Sequence, residues 1–222
     1  MAFFYFYPVE NPIPILLTTA YMPPVAYFAL LCHANIAVIE QFETYQKQTY
    51  RNRSEIYSEK GKMALSIPVS KPSGNHTKTK DILIFNQDNW YKKHWRAIET
   101  AYLPAPFFIY YSHEIKPFFE QPFKWLLDFN MQLTELFSRI IGLDTTITLS
   151  EDYIKTPEDK IDYRTTLSPK KSENTLERFP KYTQVFETSH GFIPNLSILD
   201  LVFNLGPESH EYIATLSKQI RI

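Results

Sequence analysis

The densest group of side chains with chemistry is residues 46–55, QKQTYRNRSE. Its β-like composition predicts a strand over 49–57, with Arg51, Arg53 and Glu55 on one face and Tyr50, Asn52 and Ser54 on the other. Two guanidiniums about 7 Å apart along a strand suit a phosphate or carboxylate, which their planar forks grip through paired N–H groups. The plainer reading is a solvated edge strand on which Glu55 neutralises its neighbours, and spacing alone favours it.

Other candidates are more scattered. His94 borders the apolar face of a helix predicted over 90–102, where it is either a general base held by packing or a core histidine. Asn130 interrupts an apolar helical stripe, so its amide needs partners, in a neighbouring helix or in a substrate. Asp162 and Arg164, two apart in a segment with few apolar anchors, either pair with each other or reach a cleft. In GFIPNLS, residues 191–197, Asn195 or Ser197 can cap a helix, whose free N–H groups also suit an anion.

Glycine spacing excludes several functions. The five glycines stand at 61, 74, 142, 191 and 206. A dinucleotide fingerprint, a Walker loop and a serine nucleophile elbow each need glycines two to five residues apart, so none fits. Cys32 is the single cysteine, which removes intrachain disulfides and paired-cysteine zinc sites. The six histidines form no short ligand pattern, and neither a metal nor a cofactor is expected. A net charge of −1 offers no basic surface to nucleic acid. Residues 11–39 carry no charge, as a membrane span would, but Pro23-Pro24 breaks the run and Thr18, Thr19, His33 and Asn35 are polar, so no transmembrane segment is expected. The opening MAFFYFYPVE lacks the basic region of a signal peptide, so a soluble cytoplasmic protein is expected.

These residues need elements to position them. With 44% hydrophobic residues and 16% aromatics, the chain can bury a core of its own. The pattern predicts an α/β fold in one domain, 1–222, with a mixed β-sheet. A short apolar strand over 13–21, a helix over 24–34 and a strand over 36–40 form an N-terminal parallel βαβ unit. Residues 49–57 and 63–69 make a hairpin, and 81–85 one more strand. Asn89 is expected to cap the 90–102 helix. A second helix over 107–120 and a third opened by Pro122 and stopped by Gly142 follow, then a strand over 145–149. Residues 150–181 read as a polar lid with little regular structure. Ser197 and Asp200 resemble a capping box for a last short helix that ends before Gly206. In a parallel α/β sheet sites collect beyond the carboxyl ends of the strands, which draws attention to Tyr21 and Glu40.

Five blocks resemble the WbqC-like family, in particular its Bacteroidetes form: LLTTAYMPPVAYFALL, IEQFETYQKQTYRNRSEI, WYKKHWRAIETAYLPAPFF, LLDFN and SHGFIPNLSILDLVFNLGPE. They occur in family order over about 13–207, with Thr18-Thr19 where the wider family usually has Gln-Pro, and Glu40-Gln41 where it has Asp-Asp. Members occur in surface-polysaccharide and O-antigen clusters, and the resemblance implies acyl or aminoacyl (glycyl-type) transfer onto a phosphorylated or nucleotide-linked sugar. In that reading Arg51 and Arg53 hold phosphate, and His94 and Glu40 are the acid–base candidates. Tyr21, Tyr50, Asn52, Tyr102, Asn130, Asp162, Arg164 and Asn195 contact the sugar. The rival is a non-catalytic binding or scaffold protein of a polysaccharide or envelope assembly.

Overall fold

A computed structural model describes residues 13–169 and 178–220. The opening decapeptide, with its expected lack of a signal peptide, and residues 170–177 of the expected lid lie outside the described residues. The fold is α/β. Strand β1 (Ile15–Thr18) leads into helix α1 (Val25–His33) and strand β2 (Ile36–Glu40), and β1 and β2 pair in parallel, as the βαβ pattern predicts. Helix α1 is apolar all round because it is buried all round: every residue from Val25 to Leu31 is in the core. A hairpin of β3 (Arg53–Ser58) and β4 (Gly61–Ser66) follows, then the short antiparallel pair β5 (Val69–Ser70) and β6 (Leu83–Ile84).

Three helices and a strand come next in the order the periodicities suggest. Helix α2 (Trp90–Tyr102) buries Tyr91, Trp95, Ile98 and Tyr102 along one face. Helix α3 (Phe108–Ile115) precedes α4 (Leu126–Ile141), which ends at Gly142 in the left-handed region (φ 78°). Strand β7 (Thr146–Leu149) pairs in parallel with β2, and β8 (Ile161–Asp162) in parallel with β1. The main sheet thus runs β7-β2-β1-β8 and is all parallel, while the antiparallel pairs form two separate ladders. The chain closes with a helical turn α5 (Glu187–His190), then α6 (Ile198–Leu205) and α7 (Ser209–Ser217). Phe129 of α4 is the centre of the aromatic core, with Phe118, Phe119, Phe123, Tyr21 and Trp90 packed around its ring.

Several local expectations are corrected. The strand begins at Arg53 and not at residue 49, because 50–52 form a turn after Gln48, itself at φ 57°. Arg51 therefore does not share a strand face with Arg53; only Arg53 and Glu55 keep that parity. Pro122 does not open α4, since Trp125 first bridges to Leu83 of β6: Ile84 N–H donates to the Lys124 carbonyl and Leu126 N–H to that of Ile82. The second helix stops at Ile115 and tightens into a 3₁₀ turn, Lys116–Phe119, where Pro117 lacks an N–H to continue the α-helical ladder. Asn89 makes no side-chain cap; it sits at φ 47° and accepts from the Tyr91 hydroxyl. Ser197 does cap α6 by accepting from Leu199 N–H, but Asp200 turns inward and leaves the capping box half made. The described part of 150–181 has little regular structure, as expected, apart from the two residues of β8 at the edge of the main sheet.

Candidate functional site

The carboxyl ends of β1, β2, β7 and β8 share one edge of the parallel sheet, where an open α/β fold gathers polar groups. Glu40, the last residue of β2, is fully buried there. Its Oε1 accepts from Phe42 N–H (2.8 Å) and the Ser150 hydroxyl (3.0 Å); its Oε2 accepts from Ile154 N–H (2.8 Å) and lies 3.6 Å from Arg164 Nη1. Arg164 in turn grips Asp162 through Nη2 (2.7 Å) and Nε (2.9 Å). Of the two sequence alternatives for this pair, the two residues bond each other, and Arg164 alone also reaches Glu40. The Asp162 bond raises the guanidinium's affinity for its proton further.

Glu43 and Arg51 stand beside this network. Arg51 is buried, and its Nε and Nη2 both donate to Glu43 Oε1, at 2.9 and 2.7 Å. Burial pushes the Glu43 carboxyl up despite Arg51, with Glu40 adding to the rise. The Arg51 carbonyl accepts from Asn130 Nδ2 (2.8 Å), which is the partner the buried amide required. Asn130 Oδ1 has no partner among the described residues.

Two residues further on the surroundings invert. Arg53 lines a cavity of about 390 Å³ together with Tyr45, Lys47, Asn52 and Lys71, walled by Ile67, Pro68 and Val69. Among the described residues, three cations and no carboxylate line it. The nearest acid, Glu55, is shared: its Oε1 is 3.5 Å from Arg53 Nη2 while its Oε2 holds Lys62 at 3.0 Å. Lys71 has a lowered pKa, from lost hydration and then from the charge of Lys47. Three buried polar atoms of this lining lack a partner among the described residues: Tyr45 Oη, Asn52 Oδ1 and Arg53 Nε. All three are closed off from solvent, so what the cavity itself presents is the charge of Lys47, Arg53 and Lys71. Tyr45 is only 6% exposed, and burial pushes its phenol up to about 12, with Arg51 opposing, so it stays protonated at neutral pH. Gln48, on the same rim, adopts its left-handed conformation without a glycine.

The remaining candidates lie in the core, except Asn195, which is half-buried. His94 Nδ1 meets the Tyr21 hydroxyl at 2.8 Å, with the rings stacked and Trp90 edge-on. Burial pulls His94 down to about 4, a backbone hydrogen bond to Ser66 partly opposing, so the imidazole is neutral at pH 7. Since Ser66 lines the basic cavity, His94 stands behind its wall. The buried Tyr50 anchors Tyr21, whose N–H donates to its carbonyl. The Tyr102 hydroxyl accepts from Tyr57 N–H (3.0 Å), and Asn195 Oδ1 caps α1 by accepting from Ala26 N–H (2.9 Å).

The sequence candidates thus fall into three groups. Glu40, Asp162 and Arg164 form the edge network, with Arg51 beside it. Asn52 and Arg53 line the basic pocket, and Tyr21, Tyr50, His94, Tyr102, Asn130 and Asn195 are packed or bonded inside. Tyr45 and Lys71 were not singled out. Tyr45 has only its place four residues before Thr49 to suggest it, and Lys71 joins the pocket only through the fold, in which Ile67 N–H donates to the Asn52 carbonyl. No group of three or more metal-ligating side chains occurs among the described residues. Nor is any described helix long and apolar enough to cross a membrane.

The model of the WbqC-like protein family matches residues 19–176, which takes in the pocket, the Glu43–Arg51 pair and the edge network. The chain belongs to the WbqC-like protein family. It is also 27% identical over 220 residues to the uncharacterised protein Rv1507c of Mycobacterium tuberculosis, covering 87% of this chain and 94% of that one. No solved structure matches it significantly.

Proposed function

We propose that this WbqC-like protein is an enzyme that binds a phosphorylated sugar in the basic pocket and transfers an acyl or aminoacyl group to it. The observation that carries the reading is the pocket itself: Lys47, Arg53 and Lys71 around one cavity, with no acidic residue in its lining among the described residues. A phosphate answers such a set of donors and charges at once. The apolar wall at Ile67–Val69 and the Tyr45 ring suit the face of a sugar, and the family's association with O-antigen genes supports that substrate class.

Calorimetric titration with a hexose 1-phosphate tests the binding half. Saturable binding that falls at least tenfold in Arg53→Gln is expected, because a charge-assisted bond is lost. Mass spectrometry of the hexose phosphate after incubation with activated acyl and aminoacyl donors tests the transfer. Absence of binding to any sugar phosphate overturns the proposal.

A specific surface feature favours the second reading, a binding or scaffold protein. Leu103, Ile109 and Tyr110 are 60%, 76% and 67% exposed around the start of α3. If that role is the main one, charge-free replacement of these three side chains abolishes assembly while sugar-phosphate binding persists.

A further inference from the structure

We infer that a basic ribbon beside the pocket, carrying Lys78 and Lys80 and continued by Lys47 and Lys71, is a docking surface for an acidic glycan, a flexible chain of sugars bearing carboxylate or sulfate groups. This goes beyond the sugar-phosphate reading and does not rest on it, since Lys78 and Lys80 are not part of the pocket lining.

Charge is unevenly spread along the chain. The whole sequence is −1, but residues 41–81 carry eight Lys and Arg against four Asp and Glu, a net +4, which leaves −5 on the rest. Of those four acids, Glu43 is taken by Arg51, and Glu55 by Arg53 and Lys62. Within this block the extended segments 41–45 and 77–80 lie antiparallel: Tyr45 N–H donates to the Thr77 carbonyl and Thr79 N–H to that of Glu43. Glu43, Tyr45, Thr77 and Thr79 are buried, so the alternate residues Phe42, Thr44, Lys78 and Lys80 make the outer face. The Lys78 and Lys80 ammoniums stand 5.3 and 4.6 Å from the centre of the Phe42 ring. That keeps them within about 10 Å of each other, one Debye length at 0.1 M salt. Neither has a carboxylate partner among the described residues.

The ribbon runs into the rim of the pocket. Tyr45 lines that cavity with Lys47 and Lys71, and Lys71 Nζ donates to Asn75 in the loop that leads to Lys78. Lys80 and Lys47 stand at opposite ends of this row, so a chain with repeated charges answers it better than one small anion. What lies between the charges selects the partner. Thr44, Gln46 and Asn75 are exposed, and their neutral hydroxyl and amide groups suit sugar hydroxyls. A nucleic-acid strand asks for aromatic faces on which bases stack, but two ammoniums lie over Phe42, and Tyr45 is buried. An anionic bilayer favours apolar side chains that insert, and residues 41–49 and 71–81 expose no large hydrophobic side chain.

The test measures binding of the full chain to labelled alginate oligosaccharide, to poly-dT and polyglutamate of matched charge, and to phosphatidylserine-containing vesicles. Alginate is expected to bind tightest, with an affinity that falls roughly tenfold between about 50 and 200 mM salt as counterions are released. The double variant Lys78→Glu/Lys80→Glu is expected to lose roughly tenfold or more in alginate affinity, and Lys78→Gln/Lys80→Gln an intermediate part, with the melting temperature kept. Should either variant fail to fold, the ranking of the four probes on the unaltered protein decides. Absence of alginate binding, another probe binding as tightly, or an alginate affinity unmoved in both folded double variants overturns the inference. Failure of hexose 1-phosphate to bind would remove the pocket reading and leave the ribbon standing.

Discussion

Arg51 and Arg53 are separated by one residue yet meet opposite electrostatic conditions. The Arg51 guanidinium is buried with two N–H groups on one Glu43 oxygen, whereas Arg53 keeps Nε unpartnered at a cavity with no acid in its described lining. The difference comes from the backbone: Arg51 lies in the turn before β3 and Arg53 is its first residue. One arginine is neutralised from within the fold, and the other still carries a field that an anion can answer.

Variants of the two should therefore separate stability from binding. Arg51→Ala leaves Glu43 buried without its counter-charge and is expected to cost on the order of 3 kcal/mol in chemical denaturation. Arg53→Ala, at a side chain 36% exposed, is expected to cost about 1 kcal/mol or less while weakening sugar-phosphate binding tenfold or more. The reverse pattern, an unstable Arg53 variant and a stable Arg51 variant that loses ligand, would sink the assignment.

The same contrast shows what local pattern reveals. Helix α2 appears over the residues its spacing predicts, and Gly142 stops α4, because periodicity and a left-handed glycine are local properties. Local pattern extends the strand through Arg51 because the turn ahead of it uses Gln48 at φ 57°, with no glycine to announce it. Strand β8 is two residues in a polar run, too short for alternation to register. The pocket depends on Ile67 meeting Asn52 and on Lys71 arriving from beyond β5, contacts that belong to tertiary closure. The buried charge of Glu40 was legible only as a strand end; its Ser150, Ile154 and Arg164 partners arrive from more than a hundred residues away.

Gly206 is expected to be irreplaceable. It joins α6 to the following turn at φ 54° and ψ −122°, and a Cβ there would stand 2.5 Å from the Phe107 ring. Gly206→Ala combines backbone strain with a ring that must move, and should lower stability by roughly 2 kcal/mol or more. A melting temperature equal to that of the unaltered protein would contradict this.

The edge network predicts an asymmetric pair of variants. Glu40→Gln keeps the shape and the Ser150 contact but gives Ile154 N–H or Phe42 N–H a donor to face, and removes the charge opposite Arg164. A loss on the order of 2–4 kcal/mol is expected. Asp162→Asn, at a half-exposed partner, should cost under about 1 kcal/mol. Denaturation midpoints that rank the two the other way would show that Asp162, and not Glu40, anchors Arg164.

The pH dependence of stability contains two opposed contributions that single variants can separate. His94 has its folded pKa lowered to about 4 by burial, against an unfolded value near 6.5, so its contribution is present above about 6.5 and lost as pH falls towards 4. Asp200 is the reverse case. Burial raises it to about 6, above an unfolded value near 3.9, although the Tyr182 hydroxyl and Gln184 amide bond it. Its contribution is full below about 4 and lost as pH rises through 6. Between pH 4 and 6 the two slopes oppose each other. His94→Gln, which can still accept from the Tyr21 hydroxyl, should remove a loss on the order of 2–3 kcal/mol between pH 6.5 and 4. Asp200→Asn should steepen the acid-side fall, because the compensating gain has gone. Urea denaturation across pH 4–7.5 measures both slopes. If His94→Gln follows the same curve as the unaltered protein, the imidazole already exchanges protons with solvent and is not sealed behind Ser66.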